Sequence, residues 1–392
     1  MQLRASASLF LRTCLVAAAV TVSTTTPLNA QCGVPPRPGM APKATGGQTT
    51  PIGGNPTSSG IGTLGGSGGL IPRISNGLGF KGKTSYPGVG SWVALPDMPK
   101  SLGEVTVGAM NGKLYVVGEG SGSTVTYDLG AGTWSSSQAS SRPHEGNHHA
   151  SEVHDGKWYI IGGFDNGAEG KVQIYDPDTN SWSLGADMPW VGGSVNTALI
   201  SGRIYVCGGV EDDLFTTDNC AVYDPDADSW NMLAPMIDGR NHAAAGTDGR
   251  RLYVFGGRGP GSGDTNMVAN GFADVQVYDP ATNTWDSSNL PGSQLRPLPI
   301  GRGGTGKAVY HDKEFYVFGG ETLTGPGAVS GNVYNRVDIF CPGRNKWRRG
   351  ADIPTARHGI YPIEVRGSVY LLGGGKVAGG SKSRVSELYI LP

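Results

Sequence analysis

The chain has almost no excess of charge of either sign. Its 392 residues include 31 basic and 32 acidic side chains, which gives a formal net charge of −1. Proteins that bind nucleic acid or an anionic membrane surface usually carry a basic excess, and net charge supports neither partner here. We therefore predict that the protein has no nucleic-acid ligand.

Long apolar runs are also scarce, and the clearest one lies near the start of the sequence. Arg4 and Arg12 precede an apolar stretch over residues 14–22, and Ala30 ends a plausible cleavage site. This pattern predicts a secretory signal peptide over residues 1–30 and a secreted protein, extracellular or, in a bacterium, periplasmic. The run is too short to span a bilayer, and no later segment is long and apolar enough to do so.

Large apolar residues are nearly missing from residues 31–90, which consist mainly of glycine, proline, serine and threonine. Such a segment cannot bury enough surface to offset the entropy lost on ordering. We predict a disordered tether over residues 31–90 and one folded domain over residues 91–392.

Cysteine is rare, with five residues in the whole chain. Loss of Cys14 with the signal peptide leaves Cys32, Cys207, Cys220 and Cys341, an even number that suits an oxidising compartment. Cys207 and Cys220 fall nearly opposite each other on two predicted antiparallel strands, so a cross-strand disulfide is plausible if their side chains share a face. Cys32 and Cys341 would then form the remaining pair, and the alternative is that all four stay as thiols.

A repeated unit is what the sequence does contain. One copy runs from Trp158 to Trp182 and holds a short aromatic and β-branched strand, a glycine pair at 162–163, a loop and a second strand ending in Tyr175-Asp176. The glycine pair recurs at 208–209, 256–257, 319–320 and 373–374, and weakly at 118–119. The closing tryptophan occurs at Trp92, Trp134, Trp182, Trp230, Trp285 and Trp347. Regular recurrence of this kind is typical of a repeat architecture.

The glycine pair followed by a spaced tyrosine and tryptophan resembles the Kelch repeat, whose period is roughly 50 residues. The resemblance covers residues 92–392 and implies an all-β fold, a β-propeller of four-stranded blades around a central channel. Trp92 opens a strand that has no inner strands before it, and the last repeat lacks a tryptophan strand. We therefore predict six blades, the last of which is closed by the N-terminal strand around Trp92. The six tryptophans are predicted to be structural and to pack between blades.

The order of strands in such a blade places the inter-blade loops and the loops after the glycine pairs on one face. We predict that a ligand binds there, since loops on a rigid scaffold commonly carry binding residues. The long loops of blades four and five, residues 258–273 and 321–334, belong to this face. The candidate ligand-binding residues are Arg142, Glu145, His148, Asn196, Arg240, His242, Arg302, Arg357 and His358.

Three of these candidates, Arg240, Arg302 and Arg357, come from successive inter-blade loops. If they converge on the channel mouth, they would suit a carboxylate, sulfate or phosphate, because a guanidinium can bind two oxygens in one plane. The alternative is that they cap strand ends and pair with Glu104, Glu145 or Asp238.

The chemistry of an enzyme is harder to find in this sequence. Sialic-acid mutarotases are six-bladed relatives, and Glu104 or Glu145 could shuttle protons as in such an enzyme, but no segment matches their distinguishing insertions. Copper radical oxidases share the fold, yet the pair Tyr310-His311 is predicted to lie on the opposite face. There is also no phosphate loop or Ser-His-Asp order.

A metal site is not predicted either. His148, His149 and His242 could ligate an ion, but no clear carboxylate or thiolate partner is spaced with them. The sequence thus predicts an exported, monomeric Kelch-type module, without cofactor or catalytic residues, that recognises a protein or a surface glycan through the loop face. The alternative is a propeller enzyme that acts on a small acidic sugar.

Overall fold

The structure is a computed structural model that describes residues 88–119, 121–212, 215–259, 271–324 and 330–392. The predicted signal peptide over residues 1–30 lies outside the described residues. The predicted tether over residues 31–90 also lies outside them, except for residues 88–90.

Within the described residues, the strands form six four-stranded antiparallel sheets and one two-stranded sheet. Strand β1 is Ser91–Ala94. Blade one contains β2 (Gly103–Met110), β3 (Lys113–Glu119), β4 (Ser121–Asp128) and β5 (Thr133–Ser135). Blade two contains β6 (Ala150–His154), β7 (Lys157–Ile161), β8 (Val172–Asp176) and β9 (Ser181–Gly185). Blade three contains β10 (Asn196–Ile200), β11 (Arg203–Cys207), β12 (Cys220–Asp224) and β13 (Ser229–Met232).

The second half of the chain repeats this order. Blade four contains β14 (Ala244–Thr247), β15 (Leu252–Phe255), β16 (Val275–Asp279) and β17 (Thr284–Ser287). Blade five contains β18 (Val309–His311), β19 (Glu314–Phe318), β22 (Val337–Cys341) and β23 (Lys346–Arg349), with β20 (Glu321–Thr324) and β21 (Ser330–Val333) as a hairpin between its second and third strands. Blade six contains β24 (Ile363–Val365), β25 (Ser368–Leu372) and β26 (Ser386–Ile390). A short 3₁₀ helix, Pro342–Arg344, joins β22 to β23.

Blade six takes its fourth strand from the start of the folded region. Strand β1 pairs antiparallel with β26, and Trp92 stands opposite Tyr389. This confirms the predicted six-bladed fold and its closure by the N-terminal strand. The outer edge of β26 is thereby paired, which leaves blade six with the same four strands as the others.

The six tryptophans connect each blade to the one before it. In every blade the tryptophan lies opposite the Tyr or Phe of the third strand, as Trp182 lies opposite Tyr175. Each indole N–H also donates to a carbonyl oxygen in the segment that leaves the preceding blade, and the donor–acceptor distances are 2.8–3.0 Å. Buried aromatic rings with a bonded N–H combine apolar packing with a directional contact. These residues therefore fix the spacing between blades.

The first glycine of each pair lies where the chain passes very close to the next blade. Gly208 has a φ of 70°, and a Cβ placed on it would lie 2.2 Å from the carbonyl oxygen of Arg240. Gly256 and Gly319 make the equivalent approach to the carbonyl oxygens of Arg302 and Arg357. Only glycine combines this backbone angle with so little space, which is why the pair marks the repeat.

A disulfide joins β11 to β12. Cys207 and Cys220 are directly opposite in the register of the two strands, and their Cα atoms are 4.1 Å apart. The predicted cross-strand disulfide is therefore confirmed. Cys341 also takes part in a disulfide, whereas the predicted partner Cys32 lies outside the described residues.

We expect the double variant Cys207→Ala/Cys220→Ala to lower the free energy of unfolding by about 3 kcal/mol, because the bond closes a short loop and restricts the unfolded chain. Equilibrium denaturation without reductant measures this loss. The same comparison in reductant is the control, and the two proteins should then differ by less than about 1 kcal/mol. Equal stabilities without reductant would contradict the prediction.

In the part of the chain that the structure describes, no helix has the length and hydropathy needed to cross a membrane.

Candidate functional site

The inter-blade loops and the loops after the glycine pairs form one face of the molecule. Within several blades an isolated backbone bridge connects the two kinds of loop, as between Asn147 and Phe164 in blade two, Asn241 and Arg258 in blade four, and Gly303 and Glu321 in blade five. Of the two long loops on this face, residues 260–270 and 325–329 lie outside the described residues. We call this surface the loop face.

Six equivalent residues, one from each blade, surround the channel mouth on the loop face. Each lies at the start of an innermost strand or within the five residues before it, and each has a positive φ between 40° and 77°. These residues are Glu104, His148, Ser194, His242, Gly304 and Gly359. Backbone hydrogen bonds connect neighbours around the circle, including Ser194 N to His148 O at 2.7 Å and Gly304 N to His242 O at 2.9 Å. We call this arrangement the entrance ring.

The entrance ring covers a very small cavity. Its volume is about 30 Å³, and it is lined by ring residues and by the residues that follow them, such as Ala150, Ala243 and Ile360. Farther along the channel, the Tyr361 hydroxyl donates to Ser151 O at 2.6 Å, and the Thr106 and Ser151 hydroxyls are 2.8 Å apart. A cavity of this size holds one water molecule or one ion, but not a sugar ring.

The polar side chains of the ring belong to a charged cluster. Nδ1 of His358 lies 3.5 Å from Oε1 of Glu104 and 3.1 Å from Oε1 of Glu321. Arg258 also forms an ion pair with Glu321, and Nε2 of His358 donates to Val377 O at 2.9 Å. These contacts give the site two buried carboxylates, each with a cationic neighbour.

The pKa values follow from these neighbours. Burial by itself would lower the pKa of His358, but hydrogen bonding and attraction from Glu104 and Glu321 outweigh it and raise the pKa to about 10. Burial would raise the pKa of Glu104, but His148, His358 and His242 together hold it far below its usual range. His358 is therefore an imidazolium and Glu104 a carboxylate at neutral pH.

Comparison with known proteins agrees with this architecture. A family profile described as the KLHDC2/KLHL20/DRC7 Kelch-repeats domain matches residues 194–392, and a profile for the Kelch motif matches residues 146–189. The chain belongs to the Kelch-repeat family. It is a Kelch propeller, and propellers of this kind typically bind proteins.

Individual relatives are distant. Kelch-like protein terF of Aspergillus terreus is 26% identical over 280 residues, which cover 68% of this chain and 57% of the relative. Kelch-like protein 23 of Homo sapiens is 28% identical over 218 residues, which cover 55% of this chain and 36% of the relative. The matched part of this Kelch propeller thus spans between about one third and three fifths of these relatives.

A solved structure titled "Structure of YjhT" has a similar fold. It superposes with a TM-score of 0.62 and 19% sequence identity, covering 74% of this chain and 95% of that one. At this identity the likeness concerns the fold alone.

The three arginines do not converge at the channel mouth, as the anion-binding hypothesis required. Arg240, Arg302 and Arg357 are all less than 2% exposed, and each turns sideways into its own blade. Their carboxylate partners are Asp274 at 2.8 Å, Asp338 at 2.9 Å and Glu387 at 2.7 Å, respectively. The predicted anion-binding funnel is therefore wrong in its geometry, because these guanidinium groups are already paired inside the blades.

Carbonyl groups complete the surroundings of these arginines. Arg240 donates to Gly256 O at 3.0 Å, Arg302 to Gly319 O at 2.6 Å, and Arg357 to Gly373 O at 2.8 Å. Each acceptor is the first residue of a glycine pair. Burial lowers the pKa of Arg302 to about 10 despite the opposing attraction of Asp338. The alternative that these arginines are structural was predicted, but with other partners than those observed.

Other candidate residues also lie outside the ring. Arg142 is buried and donates to Gly146 O at 3.1 Å, and burial lowers its pKa to about 10 against the attraction of nearby carboxylates. Asn196 is fully buried and donates to Cys207 O at 3.0 Å. Glu145 is exposed on the loop face. The structure thus separates these three residues from the ring histidines.

The structure does bring together His148, His242 and His358, and it adds Glu104. Potential ligand atoms of Glu104, His148 and His242 all lie within 4.8 Å of one another, and the same is true of a second group, His144, Asp165 and Glu169. Glu104 was considered only as an arginine partner or proton shuttle. The missing carboxylate neighbour of the histidines could have been found by aligning Gly103-Glu104 with Asn147-His148 and Asn241-His242 as equivalent repeat positions.

His149, the other candidate metal ligand, belongs to neither of these two donor groups. It is buried, and a Cβ on Gly163 would lie 2.4 Å from its ring. Burial and the nearby Arg142 lower its pKa well below the usual value, so it is neutral.

Proposed function

We propose that this Kelch propeller is an exported binding module whose loop face binds a protein or a surface glycan. The observation that carries this proposal is the distribution of exposed apolar side chains around the entrance ring. Val191, Phe215, Ile237 and Val377 are 38–68% exposed, and all four lie on loops of this face. A group of exposed apolar side chains on neighbouring loops marks a surface suited to a partner, whereas single ones do not.

Three of these side chains occur on consecutive loops. Val191 precedes blade three, Phe215 follows its glycine pair, and Ile237 follows the blade. Backbone bridges join Val210 to Gly193 and to Thr216, which connects the first two loops. The surface is therefore supported by the blade beneath it.

Export of the protein is part of the proposal. Its support is the positive and apolar start of the sequence together with the Cys207–Cys220 disulfide. Disulfides persist mainly in oxidising compartments.

Because the centre of the loop face is nearly closed, we expect a partner to contact the loops around the entrance ring. The cavity under the ring is only about 30 Å³, and the arginines that suggested an acidic sugar are in buried ion pairs. The alternative of a propeller enzyme that acts on such a sugar has lost the arginines that would bind the acidic group, although Glu104 remains at the channel mouth. A partner that lies across the loops does not need to enter the channel.

Site-specific photo-crosslinking tests the proposal. A benzoylphenylalanine is placed at Phe215 of the full chain, and a matched one at Met232, which is 57% exposed on the outer strand β13. The two proteins are irradiated with an extracellular protein fraction and, separately, with immobilised surface glycans. We expect a crosslink to the same defined partner from position 215, but not from position 232.

A double variant tests whether the crosslinked surface is needed for binding. Val191→Ser and Phe215→Ser together should weaken binding of the crosslinked partner at least tenfold, because they remove apolar contact area from the rim. Leu184→Ser and Met232→Ser, on the outer strands β9 and β13, are the control and should leave binding unchanged. Stronger crosslinking at position 232, or binding insensitive to the loop substitutions, would place the binding surface elsewhere.

A further inference from the structure

The entrance ring contains a set of donor atoms that the proposed binding function does not use. We propose that Glu104, His148 and His242 bind a divalent late first-row metal ion, with zinc as the reference ion. This inference does not depend on the identity of any partner of the loop face. It rests on the positions of the three side chains, on what orients them, and on the space between them.

The three donors come from equivalent positions of blades one, two and four. Their side chains enter one small region because the ring residues share the left-handed backbone conformation. The ring positions of blades five and six are Gly304 and Gly359, and the Glu104 carboxylate occupies the space beside Gly359, where a Cβ would lie 2.8 Å from Oε1. Repetition of the blade thus converts residues far apart in sequence into neighbours.

The distances are close to those of a coordinated ion. Nε2 of His148 is 3.7 Å from Oε2 of Glu104, and potential ligand atoms of all three residues lie within 4.8 Å of one another. Zinc–nitrogen bonds of 2.0–2.1 Å in a tetrahedron put donor atoms about 3.3 Å apart. A contraction on the order of 1 Å by side-chain rotation would close the site around an ion.

Both histidines are held in the orientation that metal binding requires. Nδ1 of His148 contacts Oδ1 of Asn147, and Nδ1 of His242 contacts Oδ1 of Asn241. Because an amide oxygen is an acceptor, each Nδ1 carries a proton, so Nε2 is the ring atom that can offer a lone pair to an ion. Nδ2 of Asn241 donates to Thr216 Oγ1 at 2.8 Å, which holds the Asn241 side chain in place. Outer hydrogen bonds of this kind orient metal-binding histidines.

The carboxylate is oriented in a comparable way. Oε1 of Glu104 faces His358 at 3.5 Å, while Oε2 faces His148 at 3.7 Å. His358 is itself held by Val377 O and Glu321. One oxygen of Glu104 therefore has a fixed neighbour outside the site, and the other faces the histidines.

The donor types and the space select the class of ion. Two imidazole nitrogens with one carboxylate oxygen suit zinc and neighbouring transition metals, whereas magnesium and calcium prefer oxygen ligands. Three protein ligands leave a coordination position for water or for an anionic group. The cavity of about 30 Å³, which Glu104, His148 and His242 line together, is large enough for the ion itself.

The test uses the full chain without a polyhistidine tag, after removal of metal by a chelator. Titration calorimetry with Zn²⁺ and visible absorption with Co²⁺ measure binding, and Mg²⁺ serves as the comparison ion. We expect the ring to bind one Zn²⁺ or Co²⁺, with an absorption band typical of nitrogen and oxygen ligands, and to show no comparable affinity for Mg²⁺.

The ligand variants use residues that the ring already accommodates. His148→Gly and His242→Gly reproduce the glycine found at the equivalent positions 304 and 359, so the positive φ is preserved. Glu104→Gln is the third single variant. Each of the three should weaken Zn²⁺ binding by at least about 100-fold and abolish the Co²⁺ band of the ring. Asn241→Leu, which removes the acceptor that orients His242 together with the hydrogen bond to Thr216, should weaken binding about 10–100-fold.

The control is a histidine of the second donor group on the same face. His144→Ala should leave the affinity of the ring and its Co²⁺ band unchanged, although it removes any ion held with Asp165 and Glu169. Circular dichroism verifies that each variant is folded, and Glu104→Gln provides the test if a glycine variant does not fold. Wild-type affinity weaker than millimolar, or binding that is lost in His144→Ala and kept in the ring variants, overturns the proposal.

Discussion

Replacement of Arg240 by alanine is expected to lower the free energy of unfolding by about 3–5 kcal/mol, since it leaves the buried Asp274 carboxylate without its partner. The pair is bidentate, with Nη1–Oδ1 and Nη2–Oδ2 distances of 3.0 and 2.8 Å. The guanidinium is also fully buried and lies 4.7 Å from the centre of the Phe272 ring. Equilibrium denaturation of the Arg240→Ala variant measures the loss.

An exposed pair of the same chemistry provides the control. Arg251 lies 2.9 Å from Asp279, but the two side chains are 48% and 29% exposed. Water and salt screen such a pair, so Arg251→Ala should cost no more than about 1 kcal/mol. Equal losses in the two variants would contradict a special role for the buried arginines. The ligand-binding alternative predicts instead a nearly unchanged stability in Arg240→Ala.

Replacement of Trp92 by alanine should lower the free energy of unfolding by about 3 kcal/mol, at the lower end of the range for large aromatic residues, because the ring is only partly buried. Trp92 packs against Tyr389 and Phe318, with ring centroids 4.9 and 6.1 Å apart, and its N–H donates to Ala351 O at 2.9 Å. This residue holds the strand that closes the propeller. Equilibrium denaturation measures the loss of stability, and hydrogen exchange measures the loss of protection in the closing strand.

Trp182 is the matched control because it has the same place in blade two. It lies 4.9 Å from Tyr175, and its N–H donates to Ser140 O at 3.0 Å. Trp182→Ala should cost a similar amount, but its increase in hydrogen exchange should stay within blade two. In Trp92→Ala, exchange should rise in both Ser91–Ala94 and Ser386–Ile390, since each strand protects the other. Unchanged exchange in these two strands would mean that Trp92 is not what holds the closure.

The candidate site was predictable only in part. Its location on the loop face follows from strand order, and His148, His242 and His358 were among the predicted residues. Their relation to Glu104 was missed, since Glu104 and His242 are joined by no local pattern and meet only because equivalent positions of different blades face one channel. The orienting asparagines directly precede two of the histidines, yet an Asn-His pair by itself indicates no contact.

For the arginines, the sequence suggested a shared site that the structure does not contain. Their residue type and spacing were read from the sequence, but the direction of a side chain at the end of a loop is not a periodic property. Asp274, Asp338 and Glu387 lie on or beside the third strands of the blades that the arginines enter. A buried guanidinium is stable there because its charge is paired and its N–H groups meet backbone carbonyls.

The sequence by itself determined the number of blades and the closing strand, and it made the Cys207–Cys220 disulfide plausible. These features follow from short-range signals: glycine where the backbone needs a positive φ, tryptophan opposite tyrosine, and cysteines at matching distances from a hairpin. Only the tertiary structure decided which polar residues meet at the channel mouth and which are sequestered within a blade. That outcome depends on six loops placed around one axis, where a backbone angle shared by six residues directs Glu104, His148 and His242 towards one another.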